Sequence, residues 1–370
     1  MENLEKAIAR IKEALPGLQL LENENMSAHC SFRIGGPVRA LAVPSDVSSL
    51  TKICYFLKEN QLAPYILGNG TNILFPDEGL KDLFIISTAK LTKLFLLPDG
   101  AIYAEAGVSL AKLAGFAQQH ELAGLEFASG IPGSVGGGLI MNAGAYGGEL
   151  KDAVESVVLY YLPEQRLYEL TKEQCSFGYR SSLFQKMGGC VLLSAVFRLE
   201  KGDGEEIAAR MRQLNQQRRD KQPLDLPSAG SAFKRPEGNY AAALIDRSGL
   251  KGYRVGDAQV SEKHAGFVVN LGSASSHDVH RLMRDCLLYT SPLSSVFIIK
   301  GKALSFRDEI TFSDCPGNPP AAGWPPRRPR SFGVFSPFSR WHGVWHGPLY
   351  CCAARPTAPP AGRFPPPAGP

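Results

Sequence analysis

Two long glycine-rich segments constrain the fold of this chain more than any other feature. The first is LGNGTNILFPDEG at 67–79, and the second is GIPGSVGGGLIMNAGAYGGE at 130–149, with eight glycines in twenty residues. Glycine lets backbone N–H groups turn toward an anion and approach it, because no Cβ intervenes. A dinucleotide pyrophosphate needs such donors, especially where a loop leads into a helix. Neither segment has the GxGxxG of a Rossmann unit or the GxxxxGK[ST] of a P-loop.

The sequence up to about residue 285 alternates strand-like and helix-like segments. Apolar runs bounded by turn residues predict strands, and apolar residues at helical spacing predict helices. The predicted strands are 63–68, 82–88, 190–200 and 266–272, the hairpins 91–107 and 154–170, and the helices 1–15, 109–120, 205–222, 240–247 and 276–287. This order predicts an α/β or α+β architecture. Tight turns alone would explain either glycine-rich segment, but two of them in this setting favour a phosphate-bearing cofactor.

The net charge of +5 belongs to the C-terminal end of the chain. Residues 315–370 contain six arginines and no acidic residue, so residues 1–314 hold 34 basic and 35 acidic side chains, a net charge of −1. A nearly neutral body argues against a nucleic-acid-binding protein. The stretch from residue 316 also holds 15 of the 27 prolines and all three tryptophans. We therefore interpret 287–370 as a disordered tail foreign to the fold, with a native proline-rich interaction segment as the alternative.

Targeting and metal signals are weak. No apolar run approaches the roughly 18–20 residues of a spanning helix, and the amphipathic N-terminus is unlike a signal peptide, so we expect a cytoplasmic protein that does not bind membranes. The eight cysteines form no CxxC pair, which predicts unpaired thiols in a reducing compartment. His277 and His280 form a lone HxxH, interpreted as solvated helix surface, and no metal site is assigned.

Eight short motifs occur in order over about residues 5–285. They are SFRIGGP (31–37), GNGTN (68–72), GIPGSVGG (130–137), MNAGAYG (141–147), GYRSS (178–182), GSAFKRP (230–236), GLKG (249–252) and SEKHAGF (261–267). Each motif alone is weak, but the ordered series resembles the UDP-N-acetylenolpyruvoylglucosamine reductase family.

The resemblance implies an α+β protein with the two-subdomain FAD-binding fold of the vanillyl-alcohol-oxidase (PCMH) type and a C-terminal α/β substrate domain. The implied parts are 1–90 and 91–203 for FAD, an incomplete 204–286 for substrate, and the tail 287–370. The resemblance also implies non-covalent FAD and NADPH as hydride donor. The implied cofactor residues are Gly68, Asn69, Gly70, Thr71, Asn72, Gly130, Ile131, Pro132, Gly133, Ser134, Gly136, Gly137, Asn142 and Gly144.

The implied reaction reduces UDP-N-acetylglucosamine enolpyruvate to UDP-N-acetylmuramate in peptidoglycan synthesis. Hydride reaches the β-carbon of the enolpyruvyl group, and the α-carbon, left as a carbanion beside a carboxylate, takes a proton. By resemblance Ser231 is the candidate proton donor. Arg180 is the candidate stabiliser, because a guanidinium stays charged and can fork onto a carboxylate. Without the motifs, Ser231 would read as a turn serine and Arg180 as a surface ion pair.

Six further residues lie in segments that the resemblance directs toward the substrate, where cations suit the UDP diphosphate. They are Tyr179, Lys221, Lys234, Arg235, Lys263 and His264. Each has an ordinary alternative: packing for the tyrosine, and a solvated charge for the others. Arg235, where the family more widely has asparagine, and the short span from Arg180 to 205–222 resemble the shorter, second type of the enzyme. We expect a monomer or a weak oligomer, and no nucleic-acid partner.

The C-terminus departs from the family pattern. The family places a catalytic glutamate roughly twenty to thirty residues past the position of Asp278, where this chain reads LLYTSPLSSVFIIKGKALSF. Glu309 lies nearby in a different context and is not assigned the role. Three alternatives therefore stay open: another FAD oxidoreductase of the same scaffold, such as a hydroxy-acid or lactone oxidase; a catalytically impaired flavin- or nucleotide-binding protein; and an interaction protein that acts through its tail.

Overall fold

The structure, a computed structural model, describes residues 2–236, 238–290 and 302–303. Its N-terminal part is a four-stranded sheet of order β1-β2-β5-β3, in which β1 pairs antiparallel and the other pairs are parallel. Its elements are α1 (Glu2–Ala14), β1 (Gln19–Asn25), β2 (Pro37–Val43), α2 (Val47–Glu59), β3 (Tyr65–Leu67), β4 (Ile73–Leu74) and β5 (Leu80–Ser87). Helices α1 and α2 pack their apolar faces into the core of this part, so each shows apolar residues at helical spacing.

The central part is an antiparallel sheet of order β12-β11-β13-β7-β6 with helices packed against it. Its elements are β6 (Leu94–Leu96), β7 (Ile102–Glu105), α3 (Leu110–Gln119), β8 (Leu122–Ala123), α4 (Val135–Ile140), β9 (Gly144–Ala145), β10 (Gly148–Glu149), α5 (Leu150–Ala153), β11 (Val154–Tyr161), β12 (Arg166–Thr171), α6 (Leu183–Met187), β13 (Cys190–Phe197) and β14 (Glu200–Lys201). The small pairs β9–β10 and β8–β14 are also antiparallel.

The two sheets share a buried boundary at β13. Leu192 and Ala195 belong to the core of the central sheet, whereas Val191 and Leu193 point to the other face and join the core of the N-terminal part. Successive strand residues point to opposite faces, so a strand buried on both sides reads as a continuous apolar run. This explains the sequence CVLLSAVF.

The C-terminal part is a four-stranded antiparallel sheet of order β15-β18-β17-β16 with three helices. Its elements are α7 (Gly204–Lys221), β15 (Ser228–Ser231), α8 (Ala241–Arg247), β16 (Arg254–Val255), β17 (Ala258–Val260), β18 (Phe267–Asn270) and α9 (Ser276–Thr290). Polar contacts join it to the N-terminal part: the Asn270 side chain donates to Phe32 O at 3.1 Å, and Ser276 Oγ donates to Asp77 Oδ2 at 2.7 Å. None of the described helices is long and apolar enough to cross a membrane.

The predicted elements are confirmed, with end shifts of a few residues. The predicted N-cap Ser109 accepts a hydrogen bond from Lys112 N at 3.1 Å. His277 is exposed as predicted, but the HxxH interpretation is wrong for His280, which is half-buried and whose pKa burial lowers. The three-part division stays a prediction. Its boundary at 286 falls inside α9, and Lys302–Ala303 (β19), from the predicted tail, pair in parallel with β4. The rest of 291–370 lies outside the described residues.

Candidate functional site

The two glycine-rich segments meet in space. Gly68 follows β3 and Ser134 precedes α4, and a Cβ on Gly68 would stand 2.6 Å from Ser134 Oγ and 3.9 Å from Gly137 N. Ser134 is fully buried, and its hydroxyl accepts a hydrogen bond from Gly137 N at 3.3 Å as the N-cap of α4. Only glycine fits at position 68 against this hydroxyl. The contact joins residues 66 positions apart (134 − 68) into one surface.

The first loop carries backbone donors that the protein does not use. The N–H groups of Asn69, Gly70, Thr71 and Asn72 have no hydrogen-bond acceptor within the described part of the chain. Gly70 has a φ of +62°, and a Cβ there would lie 2.1 Å from His29 O, so this turn requires glycine. Consecutive backbone N–H groups around a left-handed residue form an anion-binding concavity. The residues of the first loop therefore fit the pyrophosphate of a dinucleotide.

The second loop has a different role, because most of its backbone donors are bonded within the protein. Val135 N donates to Val108 O and Gly136 N donates to Ala106 O, both at 2.8 Å. A Cβ on Gly136 would lie 3.0 Å from the Cβ of Ala106, so this glycine lets the loop pack closely on the turn after β7. The second loop thus forms a rigid wall beside the donors of the first.

Asn142 is held in place by its side-chain hydrogen bonds. It is fully buried; its amide nitrogen donates to Gly178 O at 2.9 Å and Glu149 Oε2 at 3.1 Å, and its Oδ1 accepts from Lys151 N at 3.0 Å. Both N–H groups of the side-chain amide are therefore used within the protein. Asn142 thus ties the second loop to the turn that carries Arg180, and its assignment to the cofactor stays a prediction.

Arg180 lies in a tight turn closed by Gly178 and Ser181, with a left-handed φ of +51°. Its guanidinium donates to the backbone oxygens of Asn142 and Gly144, and its side chain is only 16% exposed. The nearest carboxylate atom, Glu149 Oε1, is 3.9 Å away. Arg180 is therefore not an ordinary surface ion pair. Since guanidinium has five N–H donors, the Nε–H and one N–H on each Nη stay available for a ligand.

The aromatic neighbour of Arg180 is more exposed. The Tyr179 side chain is 53% exposed, and the Arg180 guanidinium lies 5.3 Å from the centre of its ring. This distance is within cation–π range. A second aromatic, Tyr146, stands at the tip of the β9–β10 hairpin, where Tyr146 and Gly147 both have positive φ, the pattern of a type I′ turn. Two partly exposed aromatic rings thus border the Arg180 turn and the second loop.

Ser231 ends β15 and pairs with Phe267 of β18. Gly230 before it has a φ of +77°, and the register between Ser228 and Ser231 is irregular, so the strand bulges at the serine. The hydroxyl makes one long hydrogen bond, to Phe233 O at 3.4 Å. The Ser231 hydroxyl is thus free to reorient toward a ligand.

Ser31 connects the first loop to the strand of Ser231. Its N–H donates to Gly70 O at 3.0 Å, and its hydroxyl donates to Ser228 O at 2.6 Å. One residue therefore fixes β15 relative to the unused N–H groups of the first loop. The sequence motif around Ser31 was visible, but nothing in it indicated this double contact.

The six predicted substrate residues separate into two groups. Lys221, Lys234, Arg235 and Tyr179 make no ion pair within the described residues, although Arg235 stacks on the exposed ring of Tyr240 at 3.9 Å. Lys263 Nζ instead donates to Arg219 O at the end of α7, at 2.5 Å. His264 is half-buried, and its Nδ1 accepts from Gly266 N at 3.1 Å. Burial lowers its pKa, so the ring is neutral with its proton on Nε2.

Arg218 borders the second loop, and the sequence interpretation did not single it out. It lies on α7, and its Cδ would stand 3.0 Å from a Cβ on Gly130, with Asn215 Oδ1 at 2.5 Å. Residues 207, 211, 214 and 218 follow the helical spacing of one face, and Ile207 and Leu214 are buried. A charged residue at an apolar position of that pattern was the signal that could have revealed it.

Comparisons with known proteins agree with this geometry. Residues 38–162 match the family profile described as FAD binding domain, and residues 222–287 match the C-terminal domain of UDP-N-acetylenolpyruvoylglucosamine reductase. The chain is 46% identical over 279 residues to the enzyme of that name from Caldanaerobacter subterraneus subsp. tengcongensis, covering 75% of this chain and 90% of the relative. The corresponding values for Clostridium tetani are 43%, 75% and 90%.

A solved structure gives the same result for the fold. The crystal structure of UDP-N-acetylenolpyruvylglucosamine reductase from Thermus caldophilus superposes with a TM-score of 0.66 at 32% identity, covering 77% of this chain and 98% of that one. The predicted α+β class with a two-subdomain FAD-binding fold is therefore confirmed. The two converging loops agree with these relatives, which show that this chain belongs to the UDP-N-acetylenolpyruvoylglucosamine reductase family.

Proposed function

We propose that this protein reduces UDP-N-acetylglucosamine enolpyruvate to UDP-N-acetylmuramate with NADPH, through bound FAD, in peptidoglycan synthesis. The observation that carries the proposal is the 46% identity to a reductase over 90% of that relative's length. The four unused N–H groups of the first loop support the cofactor, because they offer a dinucleotide pyrophosphate donors that no described residue takes. A hydroxy-acid or lactone oxidase of the same scaffold is disfavoured by the family membership.

When bound, FAD would supply the hydride chemistry that connects NADPH to the β-carbon of the enolpyruvyl group. The residues of this chain supply binding, geometry and the proton. The first loop (69–72) would hold the pyrophosphate, and the second loop (130–137) would support it. In this proposal the diphosphate of the substrate is bound by Lys221, Lys234, Arg235 and Lys263.

Arg180 binds the carboxylate of the enolpyruvyl group in this proposal. Its guanidinium is held at two backbone oxygens, so its remaining N–H donors are oriented before the substrate arrives. The carboxylate becomes enolate-like when the α-carbon gains electrons, and a fixed positive charge stabilises that form more than the ground state.

Ser231 donates the proton to the α-carbon in this proposal. A serine hydroxyl is a weak acid, so the transfer requires a strongly basic carbanion and a donor within hydrogen-bond reach. The hydroxyl has one long hydrogen bond to give up, which keeps the energetic cost of reorientation small. We further propose that the protein acts in the cytoplasm, as a monomer or weak oligomer.

The test separates the two half-reactions. The purified full chain, loaded with FAD, is mixed in a stopped-flow instrument first with NADPH and then with the enolpyruvyl sugar, while the flavin absorbance is recorded. We expect Ser231→Ala to be reduced by NADPH at the wild-type rate and reoxidised by the sugar at least about 100-fold more slowly. Ser273→Ala, which removes an exposed serine hydroxyl, is the matched control. Unchanged reoxidation of Ser231→Ala would exclude the proton-donor role.

A second candidate is a catalytically impaired flavin-binding protein. The match to the C-terminal family domain ends at residue 287, and the sequence beyond it lacks the glutamate that the resemblance predicts. In that case the wild-type chain is reduced by NADPH but is not reoxidised by the enolpyruvyl sugar. Replacing residues 288–370 with the ending of a family relative should then restore the second half-reaction. Wild-type reoxidation at an enzymatic rate excludes this candidate.

A further inference from the structure

Arg218 stands where the helix pattern of α7 places an apolar residue. Its neighbours on the same face include Ile207 and Leu214, which are buried in the core, and Met211, which packs against it. The aliphatic stem of Arg218 continues this face toward Gly130 in the second loop. Long cationic side chains often bury their stems in this way and keep the charged end in water. The charged end of Arg218, its guanidinium, does not extend fully into water.

The guanidinium is partly buried without a counter-charge. Arg218 is half-buried, and it forms no ion pair and no hydrogen bond through its side chain among the described residues. Burial lowers the pKa of the guanidinium, and the nearby phenol of Tyr146 opposes that shift. An arginine nevertheless stays protonated at any physiological pH. The free protein therefore maintains a desolvated positive charge beside the second loop.

Desolvating a charge without a partner is unfavourable, so such groups are expected to gain a partner when the protein works. Gly130, against which Arg218 packs, lies four positions before Ser134, the residue that touches Gly68 and the first loop. The second loop thus links the residue that packs against Arg218 to the residue that touches Gly68. An anionic ligand held by the first loop could reach the guanidinium along this stretch.

We propose that Arg218 binds a phosphate oxygen of a nucleotide ligand at the edge formed by Gly130 and Tyr146. This inference rests on the proposed function, which supplies two ligands with that chemistry: the pyrophosphate of FAD and the diphosphate of the UDP-sugar. Tyr146, at the tip of the β9–β10 hairpin, is near enough to interact electrostatically with Arg218, and its hydroxyl can donate to the same phosphate.

The test uses three variants of the full chain. Arg218→Met keeps the stem and removes the charge, Arg218→Lys keeps the charge, and Arg219→Ala removes a neighbouring exposed arginine side chain that bonds to Gln216. FAD binding to the apoprotein is measured by quenching of flavin fluorescence, and UDP binding to the FAD-loaded protein by perturbation of the flavin absorbance. The melting temperature of each apoprotein is recorded in parallel.

We expect Arg218→Met to weaken one of the two ligands by on the order of 10- to 100-fold, as for loss of a hydrogen bond to a charged group. A weaker FAD identifies the flavin pyrophosphate, and a weaker UDP identifies the substrate diphosphate. Arg218→Lys should weaken the same ligand less, and Arg219→Ala should bind both as the wild type does. The apoprotein of Arg218→Met should melt at the wild-type temperature or above it, because an unpaired charge has been removed.

Two results overturn the inference: unchanged binding of FAD and UDP by Arg218→Met, or weaker binding accompanied by a lower melting temperature of the apoprotein. The second result would mean that Arg218 only supports the fold. A wild-type chain that binds neither FAD nor UDP would refute the proposed function, and this inference with it. If the wild type and the Arg218 variants bind FAD and UDP equally well, only the proposed role of Arg218 is refuted.

Discussion

The contact between Gly68 and Ser134 brings the two glycine-rich loops together and can be tested by a double-mutant cycle. Gly68 has no left-handed φ, so alanine is compatible with its backbone. The added Cβ would stand 2.6 Å from Ser134 Oγ but 3.8 Å from Ser134 Cβ, which is ordinary van der Waals contact. The clash therefore involves the hydroxyl alone. Gly68→Ala should be harmful when residue 134 is serine and tolerated when it is alanine.

The expected loss in the free energy of unfolding follows from the hydrogen bond that the Ser134 hydroxyl must break. To relieve the clash, Ser134 must rotate and lose its hydrogen bond to Gly137 N, the cap of α4. Losing a serine N-cap reduces the free energy of unfolding by about 1 kcal/mol. Gly68→Ala and Ser134→Ala should therefore each destabilise by about 1 kcal/mol. The double variant should match Ser134→Ala, which gives a coupling energy of about 1 kcal/mol.

The assay is urea unfolding of the apoproteins followed by circular dichroism. Gly133→Ala is the matched control, because its Cβ would meet Leu110 at 3.5 Å without a clash. We expect this control to lie within about 0.5 kcal/mol of the wild type. If Gly68→Ala costs the same free energy in both backgrounds, the two loops do not touch, and the shared binding surface inferred from them is refuted.

Three further predictions follow from single contacts. Ser31→Ala loses the hydrogen bond to Ser228 O but keeps the one from its N–H to Gly70 O. It should lower kcat about 10-fold and leave the FAD dissociation constant unchanged. Weaker FAD binding would contradict the role of Ser31 in placing β15. The buried, neutral His264 has a lowered pKa, so it contributes stability above the unfolded pKa of about 6.5 that is lost as the pH falls. Between pH 7 and pH 5 the melting temperature of the wild type should therefore fall more than that of His264→Asn; equal falls would contradict this. Gly115→Ala, inside α3 with open space around its Cβ, should raise the free energy of unfolding by about 0.5–1 kcal/mol in the urea assay, and a decrease would show that the position is crowded.

Much of the fold was predictable because its elements carry local signals. The hairpin 91–107 has its turn at Asp99 and Gly100, and the helix at 109–120 has a serine cap followed by apolar residues at helical spacing. These signals act over fewer than twenty residues, so the sequence displays them directly. The family motifs added the order of the parts, which local patterns do not contain.

The site was less predictable because its contacts join distant residues. The contact of Gly68 with Ser134 and the bridge from Ser31 to Ser228 depend on how the sheets pack, and no spacing rule encodes either. The sequence around Arg218 does not distinguish it, for a different reason. On a polar helix an arginine is most often a solvated charge, and only its place on the buried face of α7 marks it. Interpreting charge together with helical period would have found it.

The two glycine-rich segments show why composition alone does not identify a binding loop. Glycine is required in both because a Cβ would collide, at Gly70 with His29 O and at Gly148 with the ring of Phe127. The two loops differ in whether their backbone N–H groups have acceptors within the protein. Most N–H groups of the second loop do, whereas four consecutive N–H groups of the first loop have no acceptor among the described residues. The unused row is therefore where a ligand can gain new hydrogen bonds to the backbone. Substitutions that fill the second loop should therefore destabilise the apoprotein, whereas losing the donors of the first should appear mainly as weaker FAD binding.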